Sequence, residues 1–121
     1  LLIDTGHMLF AGGNSIKITE DFIERIIHVH CKDIRKKVLD KTLKNDSTFR
    51  QAFLDGAFTV PGDGSIDYKP FLTLLKNKDY SGWLVVEAEQ DPAKANPFKY
   101  AKIGYNYLSK TAKECGFNII R

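Results

Sequence analysis

A chain of 121 residues, 43% hydrophobic and 27% charged, has the length of one domain and enough apolar content for a modest core. Its net charge of +3 is too mild for tight nucleic-acid binding, and no apolar run reaches the roughly 18 residues that span a bilayer. Cys31 and Cys115 stand far apart and form no CxxC pair, so a reducing, cytoplasmic setting is expected, with neither nucleic acid nor membrane as partner.

Leu1 to Thr5 reads as a short, continuously apolar strand of the kind a parallel sheet buries on both faces. After the Gly12-Gly13 loop, Asn14 or Ser15 caps a predicted helix running towards Glu24. Ile26 to His30 is a second strand, in which alternation puts His28 and His30 on one face and points Cys31 away from them. The cationic residues that follow, Lys32, Arg35, Lys36, Lys37, Lys41 and Lys44, have no interleaved aromatics and read as a solvated helix face rather than a phosphate patch.

Helical stretches are expected from Ile34 to Asp55, broken near Asn45-Asp46, with Ser47 as a new cap and Gly56 past the end. Ala57 to Val60 is the third predicted strand and runs into the turn Pro61-Gly62-Asp63-Gly64. Asp67 caps a helix to about Asn77, Trp83 to Val86 is the fourth strand, and Pro97 opens a last helix that ends at Gly116, beside which Cys115 packs. Four strands alternating with helices predict an α/β domain with a parallel sheet covered by helices.

Each predicted strand ends in residues capable of chemistry: Asp4 and His7; His28, His30, Lys32 and Asp33; the glycine-rich turn; Glu87 and Glu89. Parallel sheets place functional groups at the carboxyl ends of their strands, so these groups are expected to converge on one pocket. Asp4, His30 and Glu87 make a mixed oxygen and nitrogen donor set without thiolate, suited to Mn²⁺, Co²⁺, Mg²⁺ or Zn²⁺. Each also has a structural reading: Asp4 as a cap, a histidine as a hydrogen-bonded core residue, Glu87 as the partner of a buried cation. His28 is read as structural, and Glu89 shares the parity of Glu87 but lies further into the loop.

The stretches LLIDTGHMLFAGG, RIIHVHCKDIR, VPGDGSIDY and GWLVVEAEQDP, followed by YAKIGYNYL, resemble the xylose isomerase-like family of TIM barrels, and within it the inosose dehydratases of inositol catabolism. The resemblance covers nearly the whole chain and implies four consecutive βα units, residues 1–121 forming the second half of a (β/α)8 barrel, strands five to eight. It implies Asp4, His30 and Glu87 as metal ligands, with Mn²⁺ or Co²⁺ the expected ion and a further Glu ligand supplied by strand four, outside this chain. It makes His7, Glu87 and Lys32 the catalytic candidates and His7, Lys32 and Arg35 the substrate contacts.

The implied reaction is loss of water from 2-keto-myo-inositol through a metal-stabilised enediolate, with a positioned base taking the proton next to the ketone and an acid helping the β-hydroxyl leave. The alternatives are a keto-sugar or inosose epimerase or isomerase of the same superfamily, and a catalytically inactive fragment. Half a barrel leaves Leu1 to Asp4 and Leu84 to Glu87 as sheet edges, so self-association is expected, together with little activity from the chain alone.

Overall fold

A computed structural model describes residues 1–120. Three strands, β1 (Leu2–Asp4), β2 (His28–Cys31) and β5 (Trp83–Val86), form a parallel sheet in the order β1-β2-β5. The register aligns Leu2 with His28 and Trp83, and Asp4 with His30 and Val85. Because side chains alternate along a strand, the sheet has two unlike faces. Ile3, Val29 and Cys31 are buried on one, with Leu84 and Val86 packed beside them. The other carries Leu2, Asp4, His28, His30, Trp83 and Val85.

The buried face is covered by α5 (Tyr68–Asn77) and α6 (Pro97–Glu114). Tyr68, Phe71, Leu72 and Leu75 of α5 are all buried, and their spacing of three and four residues is the apolar stripe of an amphipathic helix. Asp67 caps α5 through Lys69 N, and Asn96 caps α6 through Lys99 N, with Pro97 in the first turn, where a missing N–H costs nothing. The N-terminal part adds α1 (Thr5–Phe10) and α2 (Ser15–Phe22), the latter capped by Asn14 and followed by a 3₁₀ turn at Ile23–Arg25. The six-residue α1 starts at the end of β1, in a segment for which the sequence pattern predicts no element.

The third predicted strand is placed differently from the expectation. The described residues hold three parallel strands rather than four. Phe58–Thr59, labelled β4, pairs antiparallel with β3 (Asp33–Ile34), which follows β2 after the single residue Lys32. Between them lie α3 (Lys36–Lys44) and α4 (Phe49–Leu54), the latter capped by Thr48 rather than Ser47. The apolar run Ala57 to Val60 is fully buried, with Phe58 packed in a second cluster with Ile34 and Leu39. It reads as a core strand because it is buried, while its partner, only two residues long, leaves no periodic trace. Residues 32–67 are therefore one long excursion from the carboxyl end of β2.

The basic run also divides. Lys36, Lys37, Lys41 and Lys44 are exposed, but Lys32 is buried and Arg35 half-buried. Among the described residues, no helix is long and apolar enough to cross a membrane.

Candidate functional site

The pairing of β1 with β2 sets Asp4 beside His30, and Glu87 follows directly after β5, its N–H reaching Cys31 O at 3.4 Å. One ligand atom from each of Asp4, His30 and Glu87 lies within 4.8 Å of the others. His30 Nδ1 is 2.6 Å from Glu87 Oε2 and 3.7 Å from Asp4 Oδ2. Despite that proximity, Glu87 Oε2 is buried and has no hydrogen-bond partner among the described residues. Buried carboxylate oxygens are costly to leave unsatisfied. Donor atoms that crowd a common point without bonding one another are what a cation would satisfy, and the carboxylate–imidazole set fits a hard-to-borderline divalent ion.

Asp4 fulfils both readings that its sequence position allows. Oδ1 accepts from His7 N at 2.8 Å and caps α1, while Oδ2 faces His30 and Lys32. Lys32 is the unexpected member, 1% exposed for all its length and charge. Its Nζ lies 2.5 Å from Glu89 Oε2 and 3.2 Å from both Asp4 Oδ2 and Glu87 Oε1, so three carboxylates meet the three donors of one ammonium. Burial by itself lowers the Lys32 pKa, but the Glu89 hydrogen bond and the charges of Asp4 and Glu87 outweigh it and hold the pKa above its ordinary value.

The backbone is equally fixed: Thr5 Oγ1 at 2.7 Å and Tyr68 Oη at 2.8 Å both reach Lys32 O. Burial pushes the Tyr68 phenol far up, so it stays neutral. Gly6 explains the third letter of DTGH, since a Cβ there would lie 2.7 Å from Lys32 Cγ.

His7 projects from α1 and meets Glu89 Oε2 through Nε2 at 2.9 Å. Its ring stacks on Phe58 at 5.1 Å and on Phe49 at 5.8 Å, and those two rings are 5.5 Å apart. The His7 side chain remains 42% exposed. In Glu89, Lys32 and His7 outweigh the effect of burial, which alone would raise the carboxyl, and keep its pKa below the ordinary range.

Asp4, His7, His30, Lys32 and Glu87, all singled out from sequence, therefore come together. His28 shares their sheet face, edge-on to His30 at 5.3 Å. Arg35 is engaged elsewhere. Its guanidinium donates to Gly56 O at 2.7 Å, Thr59 Oγ1 at 3.1 Å and Asp63 Oδ2 at 2.5 Å, and lies over the Tyr100 ring, tying the β3-β4 hairpin to the glycine-rich turn. Among the described residues it makes no ion pair with Asp4, Glu87 or Glu89. Glu89 is the residue that sequence reasoning underrated; its parity with Glu87 was the available signal.

The sequence pattern of the xylose isomerase-like TIM barrel family matches residues 1–111. The chain belongs to this family. An inosose dehydratase of Bacillus thuringiensis (strain Al Hakam) is 51% identical to it over 112 residues, 93% of this chain and 38% of that protein. An inosose dehydratase of Clostridium botulinum (strain Eklund 17B / Type B) is 46% identical over 112 residues, with the same coverage. The rhizopine catabolism protein MocC of Rhizobium meliloti is 47% identical over 119 residues, 98% of this chain and 37% of its own length. The chain thus spans well under half the length of these curated relatives. In a xylose isomerase-like TIM barrel, the open sheet face with Asp4, His30 and Glu87 at its carboxyl rim lies where barrel enzymes carry their active sites.

Proposed function

We propose that the protein to which this chain belongs is a metal-dependent hydro-lyase that removes water from 2-keto-myo-inositol, the chain supplying part of its active site. The observation carrying this reading is the convergence of Asp4, His30 and Glu87 around an unpartnered Glu87 oxygen, in a chain half-identical to proteins named inosose dehydratase. Asp4, His30 and Glu87 would hold a divalent ion, Mn²⁺ or Co²⁺ in first place and Mg²⁺ or Zn²⁺ otherwise. Such an ion supplies Lewis acidity towards a ketone oxygen and stabilises the charge of an enediolate.

The remaining steps fall to the chain's own groups. His7, partly exposed and close to the ligand cluster, moves the proton on the carbon next to the ketone. Glu87 has one carboxylate oxygen towards Lys32 and one towards His30, and is the second candidate base. Lys32 orients Asp4, Glu87 and Glu89 from behind and balances their charge where the substrate's oxygens arrive. Arg35 shapes the pocket through the hairpin and the glycine-rich turn.

A second reading, an epimerase or isomerase of a related keto-sugar, uses the same proton abstraction without elimination. Incubating the whole protein with 2-keto-myo-inositol separates the two. Growth of dione absorbance supports the lyase; an epimerised ketone without dione sinks it. Titrating the chain with Mn²⁺ tests the ligand set, which is wrong if Asp4→Ala and His30→Ala bind as much ion as the wild type.

A further inference from the structure

Glu89 Oε2 receives two neighbours at once, Lys32 Nζ at 2.5 Å and His7 Nε2 at 2.9 Å. An ammonium has donors and no lone pair, so the oxygen facing it must be an acceptor and carries no proton on that side. The same oxygen has one lone pair left for His7, and only a nitrogen bearing hydrogen can use it. Which imidazole nitrogen holds the proton is decided by the network around it, and here Glu89 calls for hydrogen on Nε2.

We propose that Glu89 is a positioning residue that fixes His7 in its Nε2–H form and leaves Nδ1 as the proton-accepting atom of the ring.

Three observations support this. Rotating the imidazole by half a turn would put a carbon against Glu89 and abandon the 2.9 Å contact. Phe49 and Phe58 both stack with the ring, so its plane is already set and only the choice of nitrogens remains. Lys32 is buried and anchored through its carbonyl by Thr5 and Tyr68, which keeps Glu89 from swinging away. Glu89 thus does for His7 what an orienting carboxylate does for any catalytic imidazole: it selects the tautomer and the direction of the free lone pair. The chemical consequence rests on the reading above, in which His7 moves a proton; the tautomer itself does not depend on that reading.

The test is a long-range proton–nitrogen correlation spectrum of the nitrogen-15-labelled chain, without metal or substrate, at a pH where its imidazoles are neutral. With three histidines in the chain, assignment by single replacements is direct. The expected result for His7 is a pyrrole-type Nε2 with a slowly exchanging proton and a pyridine-type Nδ1. Glu89→Gln should retain this pattern, because Lys32 compels the amide oxygen to face both donors. Glu89→Ala should lose the slow Nε2–H signal and draw the two nitrogen shifts together, with His28 unchanged as a witness that the sheet is intact. A wild-type His7 with hydrogen on Nδ1, or a Glu89→Ala spectrum identical to wild type, overturns the proposal. Should Glu89→Ala not fold, the wild-type and Glu89→Gln spectra decide it alone. Failure to bind Mn²⁺ would count against the proposed metal chemistry and leave this result standing.

Discussion

The carboxylate of Asp4 ends a strand, starts a helix and faces His30 and Lys32, and it can do so because its two oxygens point to different neighbours. Such economy makes the surrounding positions sensitive. Gly6 is within two residues of Asp4 and lies against Lys32 Cγ, Cβ and O at 2.7 to 3.0 Å from where a Cβ would stand. Lys32 cannot yield, since its carbonyl is bound twice and its ammonium three times. Gly6→Ala is therefore expected to destabilise the chain by about 1–3 kcal/mol, the usual cost of overpacking, and to weaken Mn²⁺ binding as the carboxylates lose their alignment. Urea denaturation and metal titration of the variant check both effects; a neutral substitution would mean that Lys32 is less firmly held than its contacts imply.

At the level of elements, the excursion of residues 32–67 rests on another carboxylate. Asp33 is fully buried, and its Oδ1 accepts from Ile34, Ser65 and Ile66 N at 2.7 to 2.9 Å, gathering the end of the glycine-rich turn around one atom. Gly64 permits this, because a Cβ there would sit 2.2 Å from Asp33 Oδ1. Asp33→Ala orphans three backbone donors and should cost at least about 2 kcal/mol, whereas Asp33→Asn keeps the accepting oxygen and should cost less. Burial pushes the Asp33 carboxyl above its ordinary 3.8, only partly offset by those backbone donors. An acid with a raised folded-state pKa gives up stability as pH climbs from its unfolded value through its folded one. Thermal melts across that window should show a decline in the wild type that is absent from Asp33→Asn.

The sequence carried much of this architecture in advance. The cap at Asn14, one of two candidates with Ser15, the cap at Asp67, the helix start at Pro97 and the strand at Trp83 are local signals, and the structure has each of them. What escaped was non-local or short: α1, six residues long beside a glycine, and the two-residue β3 that makes Ala57 to Val60 part of a hairpin. In the site, residue types and strand parity pointed to Asp4, His30 and Glu87, but no pattern reveals that Lys32 folds inward while its basic neighbours face solvent.

On the scale of the whole chain, one face of the sheet and both its edges lack partners among the described residues, since β1 and β5 are its outer strands. The foot of that face is apolar, with Trp83 72% exposed and Leu2 exposed in register with it. A separate groove of about 620 Å³ runs along β5 and α6, lined by Leu84, Tyr105 and Phe117, away from the carboxylate cluster. Unpaired strands and open apolar surface favour association. The isolated chain is expected to sediment as a dimer or larger species at micromolar concentration, and Leu2→Ser with Trp83→Ser to shift it towards monomer; a stable wild-type monomer counts against this. It is also expected to turn over 2-keto-myo-inositol barely or not at all, and full turnover by these 121 residues would refute that.

The buried ammonium of Lys32 bears, finally, on the order of events in the life of the protein. A cluster of inward carboxylates ordinarily waits for its ion before it can close, and small metal domains stay unfolded without one. Here a tethered cation already neutralises part of that charge. Folding would then not wait for the proposed ion: the metal-free chain should show a folded circular dichroism spectrum that neither Mn²⁺ nor a chelator changes, and an unfolded metal-free chain would refute this.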